Sequence, residues 1–325
     1  MKNSAKKIMC SLLAATTAFS FVACSTEIAE SAFDSKLPWH ASDSSYEKLD
    51  YTVAVYNTEK GESEDKRVII ADGTLSFTLE EGKQNGYTML YMDFSVTYRN
   101  EELAGADKNK TDKITSTVYF EPNSLAASAM QKTVNLADRE GKKNLSYAVT
   151  ADYFDTHRAL FKYTKQDGAK EKTRRLPRNA VHDNEMLFFL ARAQGISKSS
   201  STNFKMLNLY DTFNTGELAE YRISVTGSSE RKVNIGDFVK DFGIQAVTEE
   251  GVTAYPVTCI TTTLAINAEK HGPSYTVLYA KDAFKQGAEE HKKIPIKMDY
   301  SSYQGSNPYR HTSYTLSACS FAKAE

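Results

Sequence analysis

The chain is poor in the residues that most often announce chemistry. Its four cysteines form no C-x-x-C pair and its six histidines no His-x-x-x-His pair, so the usual clamps of a zinc site are missing. No G-x-x-x-x-G-K-[ST] loop is present to cradle phosphates, no G-x-S-x-G elbow to hold a nucleophilic serine, and no EF-hand spacing of acids. An excess of positive charge is also lacking. The 40 Lys and Arg meet 41 Asp and Glu, which argues against a nucleic-acid partner. Beyond the first 23 residues no apolar run is long enough to span a bilayer. The composition therefore points to no cofactor and no metal, and it supplies no catalytic constellation.

What is present begins at Cys24. Lys2, Lys6 and Lys7 precede an apolar run, residues 8–22, and Phe21-Val22-Ala23 leads into the cysteine. A basic start, an apolar stretch near the upper limit of a signal h-region, and a small residue before cysteine form the layout of a bacterial lipoprotein signal. A transmembrane helix needs ~20 apolar residues, and this run is shorter and carries Ser and Thr. The expectation is that residues 1–23 are a signal peptide and that the Cys24 thiol carries the acyl anchor. Residues 24–46 then form a flexible lipidated tether, and residues 47–325 a single β-rich domain. Export would put the chain in the bacterial cell envelope, with the membrane as partner through its acyl group. Of the remaining cysteines, Cys259 and Cys319 lie in strand-like runs. They either oxidise to a disulfide in that compartment or pack as two small apolar thiols.

Alternation with a period of two dominates from residue 49 onward. Tyr51, Val53 and Val55 share one face; Leu75, Phe77 and Leu79 follow an expected turn at Asp72-Gly73; Leu90, Met92, Phe94, Val96 and Tyr98 make the clearest apolar face. Similar runs surround Ile114–Phe120 and Leu145–Tyr153, with a hairpin tip expected at Asp167-Gly168. Such runs predict half-buried antiparallel strands. Further strands are expected at 221–225 and 233–235, with Gly227-Ser228-Ser229 between them, and at five later segments ending near Phe321.

One segment departs from that period. Asp183-Asn184-Glu185 precedes Met186-Leu187-Phe188-Phe189-Leu190, and Gly195 follows. Asp183 or Asn184 suits an N-cap, Glu185 the positive end of the dipole, and Gly195 a left-handed stop. The spacing predicts a helix over 184–194 with Leu187, Phe188 and Leu190 buried. A helix apolar on most sides must be covered on most sides, which places it in the hollow of a curved sheet.

The order of pieces resembles a family of uncharacterised bacterial envelope proteins known only as a domain of unknown function. The residues that carry the likeness are the Asp-Asn-Glu-x-Leu-Phe-Phe-Leu-x-Arg-Ala helix, Thr-Ser-Thr-Val-Tyr-Phe-Glu-Pro-Asn-Ser-Leu (115–125), Tyr-Thr-Val-Leu-Tyr-Ala-Lys-Asp (275–282), His-Lys-Lys-Ile-Pro-Ile-Lys-Met (291–298) and Thr-Ser-Tyr-Thr-Leu (312–316). The resemblance covers about residues 46–322. It implies a mainly β fold, a curved antiparallel half-barrel wrapped on one short internal helix, similar in style to lipoprotein-carrier domains. It implies no activity. The alternative architecture is a β-sandwich.

Two groups of side chains are candidate ligand contacts. Phe188 and Phe189 belong to the greasy helix. Tyr300, Tyr303 and Tyr309 belong to a tyrosine-rich stretch that also holds Arg310 and Tyr314; tyrosine offers apolar area with a polar tip, although cross-strand pairing explains such rings equally well. The function expected is a non-enzymatic tethered lipoprotein that binds an apolar or envelope-derived ligand or assists envelope assembly. The rivals are a carbohydrate or peptide recognition module built on residues 300–314, and a hydrolase using dispersed carboxylates such as Glu121, Asp152 and Asp299. If Cys24 carries the anchor, metabolic labelling with a fatty acid marks the wild type and leaves Cys24→Ser unlabelled; a labelled mutant removes the argument for a tether.

Overall fold

The computed structural model describes residues 46–58, 68–81, 86–99, 109–122, 124–137, 145–155, 158–165, 168–175, 182–193, 196–208, 219–266, 274–302 and 309–322. Cys24 and the residues expected to form a signal and most of a tether lie outside them. Eight strands come first: β1 (Tyr46–Thr58), β2 (Val68–Glu81), β3 (Thr88–Tyr98), β4 (Thr111–Phe120), β5 (Ala127–Leu136), β6 (Leu145–Asp155), β7 (Arg158–Lys165) and β8 (Gly168–Arg175). A 3-10 turn, Asn184–Met186, runs into the α-helix α1 (Leu187–Ala193). Then come β9 (Ser201–Asn208), β10 (Ala219–Ile235), a 3-10 helix at Asp237–Phe242, β11 (Val247–Glu249), β12 (Val252–Ile266), β13 (Ser274–Ala280), β14 (Phe284–Gln286), β15 (Glu289–His291), β16 (Pro295–Ser302) and β17 (Tyr309–Ser320).

The pairing is antiparallel throughout. β1 to β8 form one meander that runs outward from the middle of the sheet to an edge. Residues 176–200, which include α1, then carry the chain to the other edge. From there β9, β10, β12, β13, β16 and β17 return, and β17 pairs with β1. The result is a single 15-stranded sheet with β8 and β9 as its two ends, plus the small β14–β15 hairpin. Among the described residues the sheet does not close into a barrel, and it is one curved sheet rather than the two facing sheets of a sandwich.

The curvature can be read from side chains. Phe94 on β3 and Tyr314 on β17 stand three strand spacings apart, ~14 Å across a flat sheet. Their ring centroids are 6.5 Å apart, so the sheet bends until its inner face meets itself. Likewise the Tyr51 hydroxyl on β1 donates to the Pro295 carbonyl on β16, at 2.9 Å. The inner face holds alternating apolar residues expected from the sequence, among them Tyr51, Leu75, Leu79, Leu90, Val118 and Ala151, joined by Leu49, Met130 and Phe161, all buried. α1 fills the hollow. Leu190 and Ala191 are fully buried and Phe189 nearly so, while Leu187 and Phe188 keep partial exposure. The helix is therefore less uniformly covered than its composition predicts: of Leu187, Phe188 and Leu190, expected to be buried, only Leu190 is fully so.

The expected turn at Asp72-Gly73 is a strand interior instead, and the expected strands 221–225 and 233–235 are one strand. Gly73 sits within β2, opposite Val96 on β3. A Cβ there would lie 1.9 Å from the Ser95 carbonyl oxygen, so glycine marks a close approach of two backbones rather than a reversal. Gly227 sits at a bulge within the single long strand β10, where a Cβ would lie 2.1 Å from the Ser197 carbonyl oxygen. The expected hairpin at Asp167-Gly168 does join β7 to β8, with Lys165 opposite Gly168. Because the atoms nearest a Gly73 Cβ belong to the β3 backbone, Gly73→Ala should cost at least the ~1–3 kcal/mol of an overpacked core site. Urea unfolding should show a lowered midpoint with an unchanged slope; a midpoint equal to the wild type would mean that the strands separate there without strain.

Candidate functional site

The hollow is organised by how α1 is held. Asp183 caps the turn that leads into it, accepting from the Glu185 N–H at 2.9 Å in an extended backbone conformation. The Tyr153 hydroxyl on β6 donates to the other Asp183 oxygen at 2.6 Å. His182 is buried, with Nδ1 3.0 Å from the Leu125 carbonyl oxygen. Lys132 on β5 donates to Glu185 at 2.6 Å. At the far end Arg192 meets both carboxylate oxygens of Glu47 on β1, and its Nε and Nη2 also donate to the Lys292 carbonyl at 3.1 and 2.9 Å. The Tyr279 hydroxyl on β13 donates to the Phe188 carbonyl at 3.3 Å.

Burial sets the titration of these groups. Asp183 is pushed up to about 6, first by loss of water and then by the neighbouring Glu185, against the pull of Tyr153, the Glu185 N–H and Lys132. Burial alone would lower Lys132, but Glu185 more than offsets it and the net shift is upward. Arg192 behaves the same way beside Glu47. Burial lowers His182, which favours the neutral imidazole. The expected capping by Asp183 ahead of the helix, with Glu185 in the first turn, is what the geometry shows.

Between α1 and the sheet lies a small cleft whose enclosed part is about 30 Å³, the rest opening to solvent. Leu49, Phe77, Leu79 and Leu90 from β1–β3 form its floor, with Phe188 and Phe189 above and Pro295 at one side. The polar side chains that reach it, Glu47, Arg192 and Glu185, are engaged with one another or with Lys132. What the cleft offers a guest is hydrocarbon and aromatic surface. An aromatic file continues from it: Phe188 meets Phe77 at 6.0 Å and Tyr275 at 4.9 Å, and Tyr275 meets Tyr300 at 4.6 Å. Phe189 packs on Phe120 at 5.1 Å.

The two sequence-derived groups are thus joined rather than separate. Phe188 and Phe189 line the cleft. Tyr300 is the direct cross-strand partner of Tyr275 and belongs to the same file. Tyr309 lies on β17 with its backbone opposite Thr58, and Tyr303 falls outside the described residues. Cys259 and Cys319 are free thiols rather than a disulfide. They sit on β12 and β17 with β13 and β16 between them, about 14 Å by strand spacing, where a bridge needs Cα atoms within ~7 Å. Burial pushes both thiols up to about 12. Glu121, Asp152 and Asp299 do not converge. Glu121 accepts from Ser124 after β4, Asp152 is exposed on β6, and Asp299 on β16 faces His311 at 3.3 Å. Among the described residues no three His, Cys, Asp or Glu side chains gather as a metal site.

Glu47, Lys132 and Arg192 escaped the sequence reading. For two of them a signal existed. Arg192 is the lone cation in an all-apolar helix, and Lys132 alternates in phase with Met130 and Val134 on a buried face; neither residue type is buried without a partner. The partner of Arg192, 145 residues away, had no local signal.

No protein-family model matches the chain, and no curated protein matches it. Among solved structures the chain is similar to a DUF1329 family protein from Desulfovibrio piger, at 9% identity over 88% of this chain and 90% of that one, with a TM-score of 0.19. It is also similar to the Aeromonas veronii immune modulator A, at 8% identity over 82% of this chain and 93% of that one, with a TM-score of 0.11. At those TM-scores neither likeness bears on fold or function; the first neighbour is itself a member of a family of unknown function.

The Asp183 environment has a pH signature. A carboxyl whose folded pKa is raised contributes stability below its unfolded pKa, near 4, and loses that contribution as pH rises through the folded value near 6. An asparagine in its place would keep the cap without titrating. Relative to Asp183→Asn, the wild type should therefore lose roughly 2–3 kcal/mol between pH 4 and 6. Comparing the two proteins removes the opposite contributions of His182 and His291, whose neutral forms are favoured by burial. Urea melts stepped across that range check it, and a constant difference would mean that Asp183 is solvated.

Proposed function

We propose that this chain is an exported, acyl-anchored lipoprotein of the bacterial envelope that holds an apolar chain in the cleft beneath α1 and performs no chemistry on it. The observation that carries this reading is the partial exposure of Phe188. A large aromatic side chain on a helix otherwise buried in the hollow is left against an open cleft whose polar groups are already engaged. Filling such a cleft is favourable by ~25 cal/mol per Å² of apolar surface removed from water. The enclosed part of the cleft is small, about 30 Å³, so it would take the tip of a slender apolar group, with the rest of the guest lying in the open mouth. The tethered state would keep that site at the envelope surface, where apolar guests are presented.

The test uses residues 24–325 with Cys24→Ser, which keeps the compact unit Ser31–Glu325 entire. A fluorescent acyl-chain probe should bind saturably and be displaced by extracted envelope lipid. Leu79→Trp, which adds bulk to the cleft floor, should weaken the probe about tenfold, equivalent to losing roughly 50–60 Å² of apolar contact. Absence of saturable binding to the parent protein would leave the hollow a dry core.

A further inference from the structure

The β7–β8 hairpin has a charge unlike the rest of the molecule. Residues 158–175 hold seven Lys or Arg and two acids, whereas the remainder of residues 24–325 holds 30 and 39. The register separates these charges by face. Lys170 and Lys172 stand opposite Tyr163 and Phe161, so these two cations occupy inner-face positions at the lip of the hollow. On the outer face Arg175 stands opposite Arg158, and Glu171 stands opposite Lys162, to which it is bridged at 2.9 Å. Arg158, Lys162, Lys165, Lys170 and Arg175 are all exposed.

Position matters as much as charge. β8 ends the sheet, with β7 as its strand neighbour. A flat surface approaching this edge meets cations from both faces together. The inner rows also lead there from the cleft. Leu90, Val118, Met130, Ala151 and Phe161 follow one another by direct pairing, and the row ends at Lys172. An apolar row ending in a cation at an open edge is the arrangement an anionic amphiphile presents in reverse.

We propose that the β7–β8 edge is a docking surface for the anionic lipid headgroups of a membrane. A surface of sign opposite to that of its own molecule orients the protein in the field of a charged leaflet. The acyl tether and the cationic edge then act as two weak membrane signals on one chain, which together hold a protein where one alone is reversible. The edge docks by charge whether or not the cleft is occupied. Lysines on edge strands also guard against strand addition, but that role needs neither Arg158 nor Arg175 on the outer face, and it is indifferent to the sign of the charge.

That indifference decides the experiment. Residues 24–325 with Cys24→Ser are sedimented with vesicles of phosphatidylglycerol and phosphatidylcholine in equal parts, and with vesicles of phosphatidylcholine alone. Binding should require phosphatidylglycerol and should fade as NaCl rises from 0.1 to 1 M, where the Debye length shrinks from about 10 to about 3 Å. The double reversal Lys170→Glu/Lys172→Glu leaves the edge charged and guarded, yet should weaken binding at least about tenfold. The double reversal Lys240→Glu/Lys285→Glu, at exposed lysines elsewhere, should bind like the parent. Equal binding to both vesicle types, an undiminished Lys170/Lys172 variant, or an equal loss in the control pair would each overturn the proposal. Acyl-probe affinity measured on the same variants separates this outcome from that of the cleft, because reversal at the edge should leave it unchanged.

Discussion

The Arg192–Glu47 pair is the contact on which the arrangement of the hollow depends. The hydrophobic effect that buries α1 is non-directional; a helix with apolar side chains around most of its circumference gains almost as much in several rotations. One guanidinium removes that freedom. It must face Glu47 near the start of β1 and the Lys292 carbonyl just before β16, and these come from opposite ends of the chain. Removing one partner from such a buried pair typically costs ~3–5 kcal/mol, chiefly because the other charge is stranded. The pair is thus better understood as a constraint on register than as a source of net stability. With it in place, Phe189 and Leu190 turn into the core and Phe188 turns toward the cleft.

At the other end of the helix a second polar cluster works differently. Tyr153, Asp183, Glu185 and Lys132 tie the turn before α1 to β5 and β6, on the half of the sheet away from Arg192. Asp183 accepts from a hydroxyl and an amide and still has its pKa raised, so the cluster tolerates a neutral carboxyl. One end of α1 is held by a charged pair, while the other adds to its Lys132–Glu185 pair a carboxyl close to neutrality in mildly acidic water. The two ends therefore respond unequally to acid.

Much of the sheet was legible because its period is short and its inner face is apolar. Leu90 to Tyr98 became β3, and the Asp167-Gly168 tip became the β7–β8 hairpin. Asp72-Gly73 misled for a physical reason: in sequence, a glycine that permits a turn cannot be told from a glycine that admits another backbone. The helix was legible from its cap and its five consecutive apolar residues, but exposure at Phe188 rather than Phe189 depends on Arg192 finding Glu47, which no window of local sequence contains. The tyrosine-rich stretch read as a platform of its own. Tyr300 instead joins the helix through Tyr275, a partner 25 residues earlier in sequence and directly across the strand pair.

The pairing of the first strand with the last carries a consequence for connectivity. Lys48 lies opposite Ser320, so the end of β17 emerges beside the start of β1. Joined there and cut between β8 and β9, the chain would run β9, β10, β12, β13, β16, β17, β1 and on to β8, each principal strand lying beside the next. The natural order is a circular permutation of a plain up-and-down meander. The cut was placed at the centre, and the ends of the meander were linked through the helix that fills it. Of the strands β1 is made first and its partner β17 last, so one flank of the central strand waits for almost the whole sheet to be synthesised. The same choice makes the segment carrying α1 a chain connection as well as a plug, so the helix is tied through the chain to both edges of the sheet.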